Sequence, residues 1–165
     1  MAIIAGSINS GQLSPYGKQL IASSMYEKGK MFFGAALLLR QRGAYEYVVL
    51  HLMCQGIEIL GKGYLLAVNY EVYEPKLREY GHNLVKLLAA VEIAANASIL
   101  RGDARNELKM LSDLYSQHLL RYGLSFDVFT DSKTISSRRL LLRVAALLRF
   151  VERNGIVHSS ELRNL

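Results

Sequence analysis

The stretch Gly43–Asn69, GAYEYVVLHLMCQGIEILGKGYLLAVN, decides the fold of this chain. At about 100° per residue its apolar side chains cover almost every sector of a helix, and such a helix is surrounded by other helices. The remaining narrow sector holds a polar stripe formed by His51, Gln55, Glu58 and Lys62. This stripe is either the solvated edge of the helix or a polar seam facing a partner helix, a second subunit or a ligand. The sequence leaves both interpretations open.

A second long helix is predicted before this central one. Residues 1–13 are rich in Gly, Ser and Asn and predict a flexible N-terminal arm. Ser14-Pro15 predicts a helix start, because serine caps the first turn and proline suits the first helical position. This helix is expected to run to about Arg42. Gly43 then makes a very short turn, which predicts an antiparallel helix pair.

Three further helices are predicted after Asn69. The first covers residues 84–100, the second begins at a capping Asp103 and runs through Leu120, and the third runs from Thr134 or Ser136 to about Arg153. The segment from Arg121 to Asp131 is expected to be a loop. Since no segment alternates with period two, we predict an all-α, single-domain bundle of about five mostly antiparallel helices over residues 14–165.

The composition describes a globular chain: 51% of the 165 residues are apolar and 21% are charged. The single cysteine, Cys54, excludes an internal disulfide and indicates a reducing compartment, so a cytoplasmic location is expected. No apolar run approaches the roughly 18 residues of a membrane span, and the first residues do not resemble a secretion signal, so no membrane association is expected. The net charge of +6 permits a polyanionic partner without requiring one.

The last predicted helix has an unusual distribution of charge. Its five arginines share an arc of about 140°, while leucine and valine occupy the opposite face. They are Arg138, Arg139, Arg143, Arg149 and Arg153. Guanidinium groups bind phosphate well, so this arginine stripe is a candidate RNA- or phosphate-binding surface. The alternative is an exposed face whose charge is balanced by acidic residues elsewhere in the fold.

Two other kinds of site are rejected. Residues 56–63 nearly match the phosphate-binding pattern G-x-x-x-x-G-K-[ST], but the final hydroxyl residue is replaced by Gly63 and the stretch lies inside a helix. Its glycines are better explained by the close approach of another helix. The four histidines are scattered along the sequence without ligand spacing on one helix face, so no metal site and no cofactor are predicted.

Three features together resemble the HEPN superfamily, whose members are small helical domains in RNA-cleaving toxins, defence proteins and nucleotide-binding modules. The first is the long-helix pair with Gln55, Glu58 and Lys62, similar to the family's Q-x-x-E-x-x-x-K helix. The second is the segment 81–88, GHNLVKLL, with Tyr115 and then Arg121-Tyr122 following. The third is residues 153–158, RNGIVH, which fit the ribonuclease signature R-[polar]-x-x-x-H.

The resemblance implies a homodimer and offers two functions. In the first, the protein is a metal-independent endoribonuclease of the toxin or defence type. His158 would be the general base on the ribose 2′-hydroxyl, Arg153 would bind the scissile phosphate and stabilise its developing charge, and Asn154 would orient or hydrogen-bond. In the second, the domain is a non-catalytic module that binds a nucleotide or a protein partner, such as a nucleotidyltransferase or antitoxin. Its expected site consists of His82 and the polar stripe on the central helix.

Overall fold

The computed structural model describes residues 13–153, apart from the side chains at positions 124, 127, 133 and 150–153, and all regular structure in this range is helical. The all-α prediction is therefore confirmed. The helices are α1 (Pro15–Gln41), α2 (Glu46–Val68), α3 (Tyr70–Tyr73), α4 (Leu77–Tyr80), α5 (Leu84–Ala95), α6 (Asp103–Ser116), α7 (Leu119–Tyr122), α8 (Leu124–Phe129) and α9 (Arg138–Arg153), with 3₁₀ turns at Glu74–Lys76 and Ser132–Thr134. The predicted arm falls almost entirely on residues 1–12, outside the described residues.

Helix α2 lies at the centre of the fold, as its apolar sequence predicts. It packs along α1 and also contacts α5, α6 and α7. Its side chains Val49, Leu50, Met53 and Cys54 are fully buried. Side chains from α6 and α9 complete the same core, among them Leu108, Leu111 and Leu140.

Glycines allow α1 and α2 to pack with their backbones in contact. A Cβ atom added at Gly56 would lie 2.8 Å from the backbone nitrogen of Phe33, and one at Gly63 would lie 2.9 Å from that of Tyr26. On the facing helix, a Cβ at Gly29 would lie 2.7 Å from the nitrogen of Leu60. These distances are too short for any side chain. The interpretation of Gly56 and Gly63 as sites of close helix approach is therefore confirmed.

Several predicted boundaries are corrected by the backbone. Ser14 caps α1 as expected, since its hydroxyl accepts a hydrogen bond from the Gly17 N–H at 3.1 Å. However, the cap position of α6 is Gly102 rather than Asp103, which is the first helical residue. The third predicted helix is also shorter than expected, because Asn96 adopts a left-handed conformation with φ of 48° and ends α5 after Ala95.

The predicted helix from Asp103 to Leu120 is interrupted, and the predicted loop after it is partly helical. His118 adopts φ of 59°, which ends α6 and redirects the chain into α7. The segment expected to be a loop contains the end of α7 and all of α8. This break determines where Arg121 and Tyr122 lie.

Helix α9 is held against α6 by a buried carboxylate. Glu107 is 7% exposed and accepts hydrogen bonds from the Ser136 hydroxyl at 2.5 Å and the Leu140 N–H at 2.7 Å. A carboxylate is favourable at this point, because the first turn of a helix has unpaired N–H groups and a partial positive charge. Among the described residues, no helix is long and apolar enough to cross a membrane.

Candidate functional site

Glu58 is the centre of a buried hydrogen-bond network. It is 7% exposed, and its carboxylate accepts hydrogen bonds from Lys62 Nζ at 2.6 Å, His82 Nδ1 at 2.9 Å and the Tyr115 hydroxyl at 2.8 Å. These partners come from α2, from the turn before α5 and from α6. The interpretation of the polar stripe as only a solvated edge is therefore wrong at Glu58, where the stripe is a seam inside the fold.

The network holds Glu58 ionised. Burial by itself raises the pKa of Glu58, but the hydrogen bonds from Lys62 and His82, the charge of Lys62 and the hydrogen bond from Tyr115 outweigh it and lower the pKa. The pKa of Tyr115 is strongly raised, first by burial and then by the negative charge of Glu58. Tyr115 is consequently a neutral hydroxyl donor at physiological pH.

The backbone around His82 is fixed on both sides. Gly81 has φ of 50°, a conformation that favours glycine, and its carbonyl accepts a hydrogen bond from Lys62 Nζ at 3.1 Å. Asn83 caps α5 by accepting the Lys86 N–H at 2.8 Å. Because Nδ1 of His82 donates to Glu58, its other ring nitrogen, Nε2, is available to a ligand, and the side chain is 45% exposed.

Two further histidines lie close to His82. The ring centroid of His118 is 5.4 Å from that of His82, and the rings of His51 and His82 lie 5.6 and 5.2 Å from the Tyr115 ring. These three histidines are scattered along the sequence, as described above, but the fold brings their rings together. The fourth, His158, lies outside the described residues.

Arg121 and Tyr122 extend this arrangement to the surface. The Arg121 guanidinium lies 3.4 Å from His51 Nε2 and 5.6 Å from the Tyr122 ring centroid. Both side chains are exposed, and Tyr122 is 70% exposed. We call the set His51, His82, His118, Arg121 and Tyr122 the histidine cluster.

His51 is held in its neutral form. Burial lowers its pKa, and the positive charges of Arg121, His82 and His118 lower it further. Its Nε2 accepts from Arg121, while its Nδ1 is buried with no hydrogen-bond partner among residues 13–153. Gln55, the remaining member of the polar stripe, is half-buried on the same face of α2.

The histidine cluster is suited to binding an anion. Within the described part of the chain, Lys62 is neutralised by Glu58, but no carboxylate pairs with Arg121. The Arg121 guanidinium donates to His51 through one nitrogen, and its other N–H groups can act as charge-assisted donors to phosphate or carboxylate. The exposed Tyr122 ring beside Arg121 offers a face on which a nucleobase can stack. Among the described residues, no three His, Cys, Asp or Glu side chains are arranged to hold a metal ion.

The arginine stripe lies on α9, with Arg138, Arg139, Arg143 and Arg149 all exposed. Arg139 lies 3.3 Å from Asp103, so one position is partly balanced by an acid from α6. Arg143 donates from Nε to the Ile99 carbonyl at 3.1 Å.

The ribonuclease signature is not placed by the structure. Arg153 is the last residue of α9 and its side chain is not described, and Asn154 and His158 lie outside the described residues. The assignment of these three residues stays a prediction.

Four residues of the Glu58 network and the histidine cluster were placed in one candidate site from the sequence: His51, Glu58, Lys62 and His82. Tyr115 and Arg121-Tyr122 were noted only through the family resemblance. His118 was missed altogether. The signal in the sequence was only the closeness of His118 to Tyr115, Arg121 and Tyr122, because the turn at His118 that brings its ring to His82 does not show in the residue spacing.

Comparisons of the chain with protein-family models, with curated proteins and with solved structures each found no match.

Proposed function

We propose that this chain is a HEPN-like helical domain that binds the phosphate of a nucleotide or of RNA at the histidine cluster. The observation that supports this most is the meeting of His82, His118 and Arg121 at one exposed place on the molecule. The proposal corresponds to the non-catalytic form of the family resemblance, for which His82 and the polar stripe are the expected site.

The charge balance supports binding of an anion rather than a purely structural role. A structural role is sufficient for Glu58, Lys62 and Tyr115, whose polar groups satisfy one another in the interior. Arg121 differs, because its guanidinium is exposed beside His51 and no carboxylate in the described part of the chain pairs with it. A bound phosphate supplies the missing negative charge.

The test is a titration of two fluorescent probes, a labelled adenosine triphosphate and a 5′-phosphorylated single-stranded RNA, at low salt. Arg121→Gln and His118→Gln are expected to weaken binding about 10-fold or more, since a hydrogen bond to a charged group is worth about 1.5–3 kcal/mol. Whether the nucleotide or the RNA binds more tightly identifies the ligand class.

Arg101→Gln is the matched control. Arg101 is exposed and precedes the start of α6, whereas Tyr115 lies near its end, about 18 Å away along the helix axis. The control is expected to bind like wild type. Equal losses in Arg121→Gln and Arg101→Gln would mean unspecific attraction to a basic protein, and the proposal would be wrong.

A second proposal is metal-independent RNA cleavage by Arg153, Asn154 and His158, with the arginine stripe leading RNA towards them. It is supported by the sequence signature and by the exposure of Arg138, Arg139 and Arg149 along α9. The test is cleavage of a mixed labelled RNA in EDTA beside Arg153→Ala and His158→Ala. Cleavage that survives both substitutions would contradict it.

The resemblance also implies the partners. We propose a homodimer, and a nucleotidyltransferase or antitoxin as protein partner. Sedimentation of the purified chain tests the first, and co-expression with the products of neighbouring genes tests the second.

A further inference from the structure

A cavity of about 610 Å³ lies between α2, α5 and α9, away from the histidine cluster. Its walls are mainly aliphatic, including Ile57, Leu60, Leu88, Val91, Val144 and Leu147. Its volume falls in the range of roughly 300–1,000 Å³ that is typical of small-molecule pockets. The cavity shares no residue with the Glu58 network or with the histidine cluster.

Charge is confined to one place in the wall. Arg143 is the only charged residue among those that line the cavity in the described range, and its Nε donates to the Ile99 carbonyl at 3.1 Å. Ser98, the neighbour of Ile99, also lines the cavity. This hydrogen bond places the exposed Arg143 guanidinium beside the loop between α5 and α6, and no described residue accepts a hydrogen bond from its two Nη groups.

No carboxylate in the described part of the chain pairs with Arg143. A pocket with aliphatic walls and one uncompensated cation matches a ligand with an apolar body and one negative charge. The two Nη groups of a guanidinium suit the two oxygens of a carboxylate.

We propose that this cavity binds a single-chain aliphatic carboxylate, with the alkyl chain among the side chains of α2, α5 and α9 and the carboxylate on Arg143. The proposal is independent of phosphate binding at the histidine cluster. It gives the fold a second ligand site of different chemistry.

The first experiment uses the unmodified protein and calorimetric titration of octanoate, decanoate and dodecanoate, each below its micelle concentration. Affinity is expected to rise about fourfold for each added methylene, because burial of one methylene is worth about 0.8 kcal/mol. The matching alcohols are expected to follow the same slope but to bind about 10-fold more weakly. An absence of binding, or affinity that does not change with chain length, would overturn the proposal.

Three variants test the two ends of the ligand. Arg143→Gln is expected to reduce the affinity of the acids to that of the alcohols and to leave the alcohols unchanged. Ala95→Phe, which places a ring in the cavity wall, is expected to weaken acids and alcohols equally. Arg42→Gln, at an exposed position in the turn between α1 and α2, is the charge-matched control and is expected to bind like wild type.

Circular dichroism checks that each variant is folded, and sedimentation checks the oligomeric state. Loss of acid binding in Arg42→Gln to the same extent as in Arg143→Gln would contradict a specific carboxylate site. A wild-type dimer that binds no fatty acid and that Ala95→Phe converts to a monomer would show that the cavity face belongs to a second copy, and the proposal would be wrong.

Discussion

Replacing Glu58 by glutamine tests whether the buried network holds the site together. Glutamine keeps the shape of the side chain but removes its charge and turns one acceptor oxygen into a donor. Glu58 now accepts three hydrogen bonds, from Lys62, His82 and Tyr115, at 2.6, 2.9 and 2.8 Å. A glutamine cannot accept all three, and the Lys62 ammonium, with a side chain 14% exposed, loses its counter-charge.

The expected loss of stability is about 3 kcal/mol. Each hydrogen bond to a charged group contributes about 1.5–3 kcal/mol, and removal of one partner from a buried ion pair costs about 3–5 kcal/mol. For a domain of this size, a loss of about 3 kcal/mol lowers the melting temperature by about 6–12 °C. Urea unfolding at pH 7, followed by far-ultraviolet circular dichroism, measures the change as a lower midpoint at unchanged slope.

Glu71→Gln is the matched control. Glu71 also pairs with a lysine at 2.6 Å, but its side chain is 67% exposed, and exposed pairs contribute little. Its unfolding midpoint is expected to stay at the wild-type value. If Glu58→Gln unfolds at the same urea concentration as Glu71→Gln, the network does not stabilise the fold, and our account of how His82 is held in place is wrong.

Three further predictions concern the interior. Gly56→Ala is expected to destabilise the protein by about 1–3 kcal/mol, because the added methyl group meets the α1 backbone. Gly34→Ala, whose methyl group meets nothing within 4 Å, should stabilise it by about 0.5–1 kcal/mol. Urea midpoints that move in the same direction for both variants would contradict the close packing of α1 and α2. The free energy of unfolding should fall as the pH drops below 6.5, the ordinary pKa of histidine, because the unfolded chain binds a proton at His51 before the folded one does. It should fall again below pH 4.5, because the unfolded chain protonates Glu58 first. Urea denaturation between pH 3 and 8 measures both steps, and a flat profile would contradict them. Cys54 is fully buried, and its pKa is raised by burial and then by the charge of Glu58. A thiol reagent at pH 8 should therefore label it only in denaturant. Rapid labelling of the native protein would place the thiol at the surface.

The sequence was sufficient for the long helices because their signals are local. The apolar run of α2 predicts a central helix, and Ser14-Pro15 predicts the start of α1. The short helices α7 and α8 could not be predicted in the same way, since four and six residues are too few for a periodic pattern and such segments depend on tertiary contacts.

The site itself depends on backbone turns that sequence patterns do not determine. The positive φ at Gly81 could be guessed from the residue type, but the one at His118 could not, because residues other than glycine seldom adopt it. After that single turn, Arg121 lies beside His51 and Tyr122 lies beside His118. A continuous helix to Leu120, as expected from sequence, would have directed these side chains elsewhere, and the candidate site would have been reduced to the polar stripe of α2.

The site consists of an inner layer of buried residues and an outer layer of exposed residues, and only the inner layer is needed to stabilise the fold. In the inner layer, Glu58, Lys62 and Tyr115 compensate one another and fasten α2 to α6, so their role in the fold is complete without a ligand. In the outer layer, Arg121 and His118 are exposed, and the positive charge of Arg121 disfavours protonation of His51. Among the described residues no carboxylate pairs with Arg121, and a bound anion supplies this counter-charge. A ligand that carries phosphate should therefore raise the melting temperature of wild type and lose most of this effect in Arg121→Gln, while the inner layer and the unliganded fold stay unchanged.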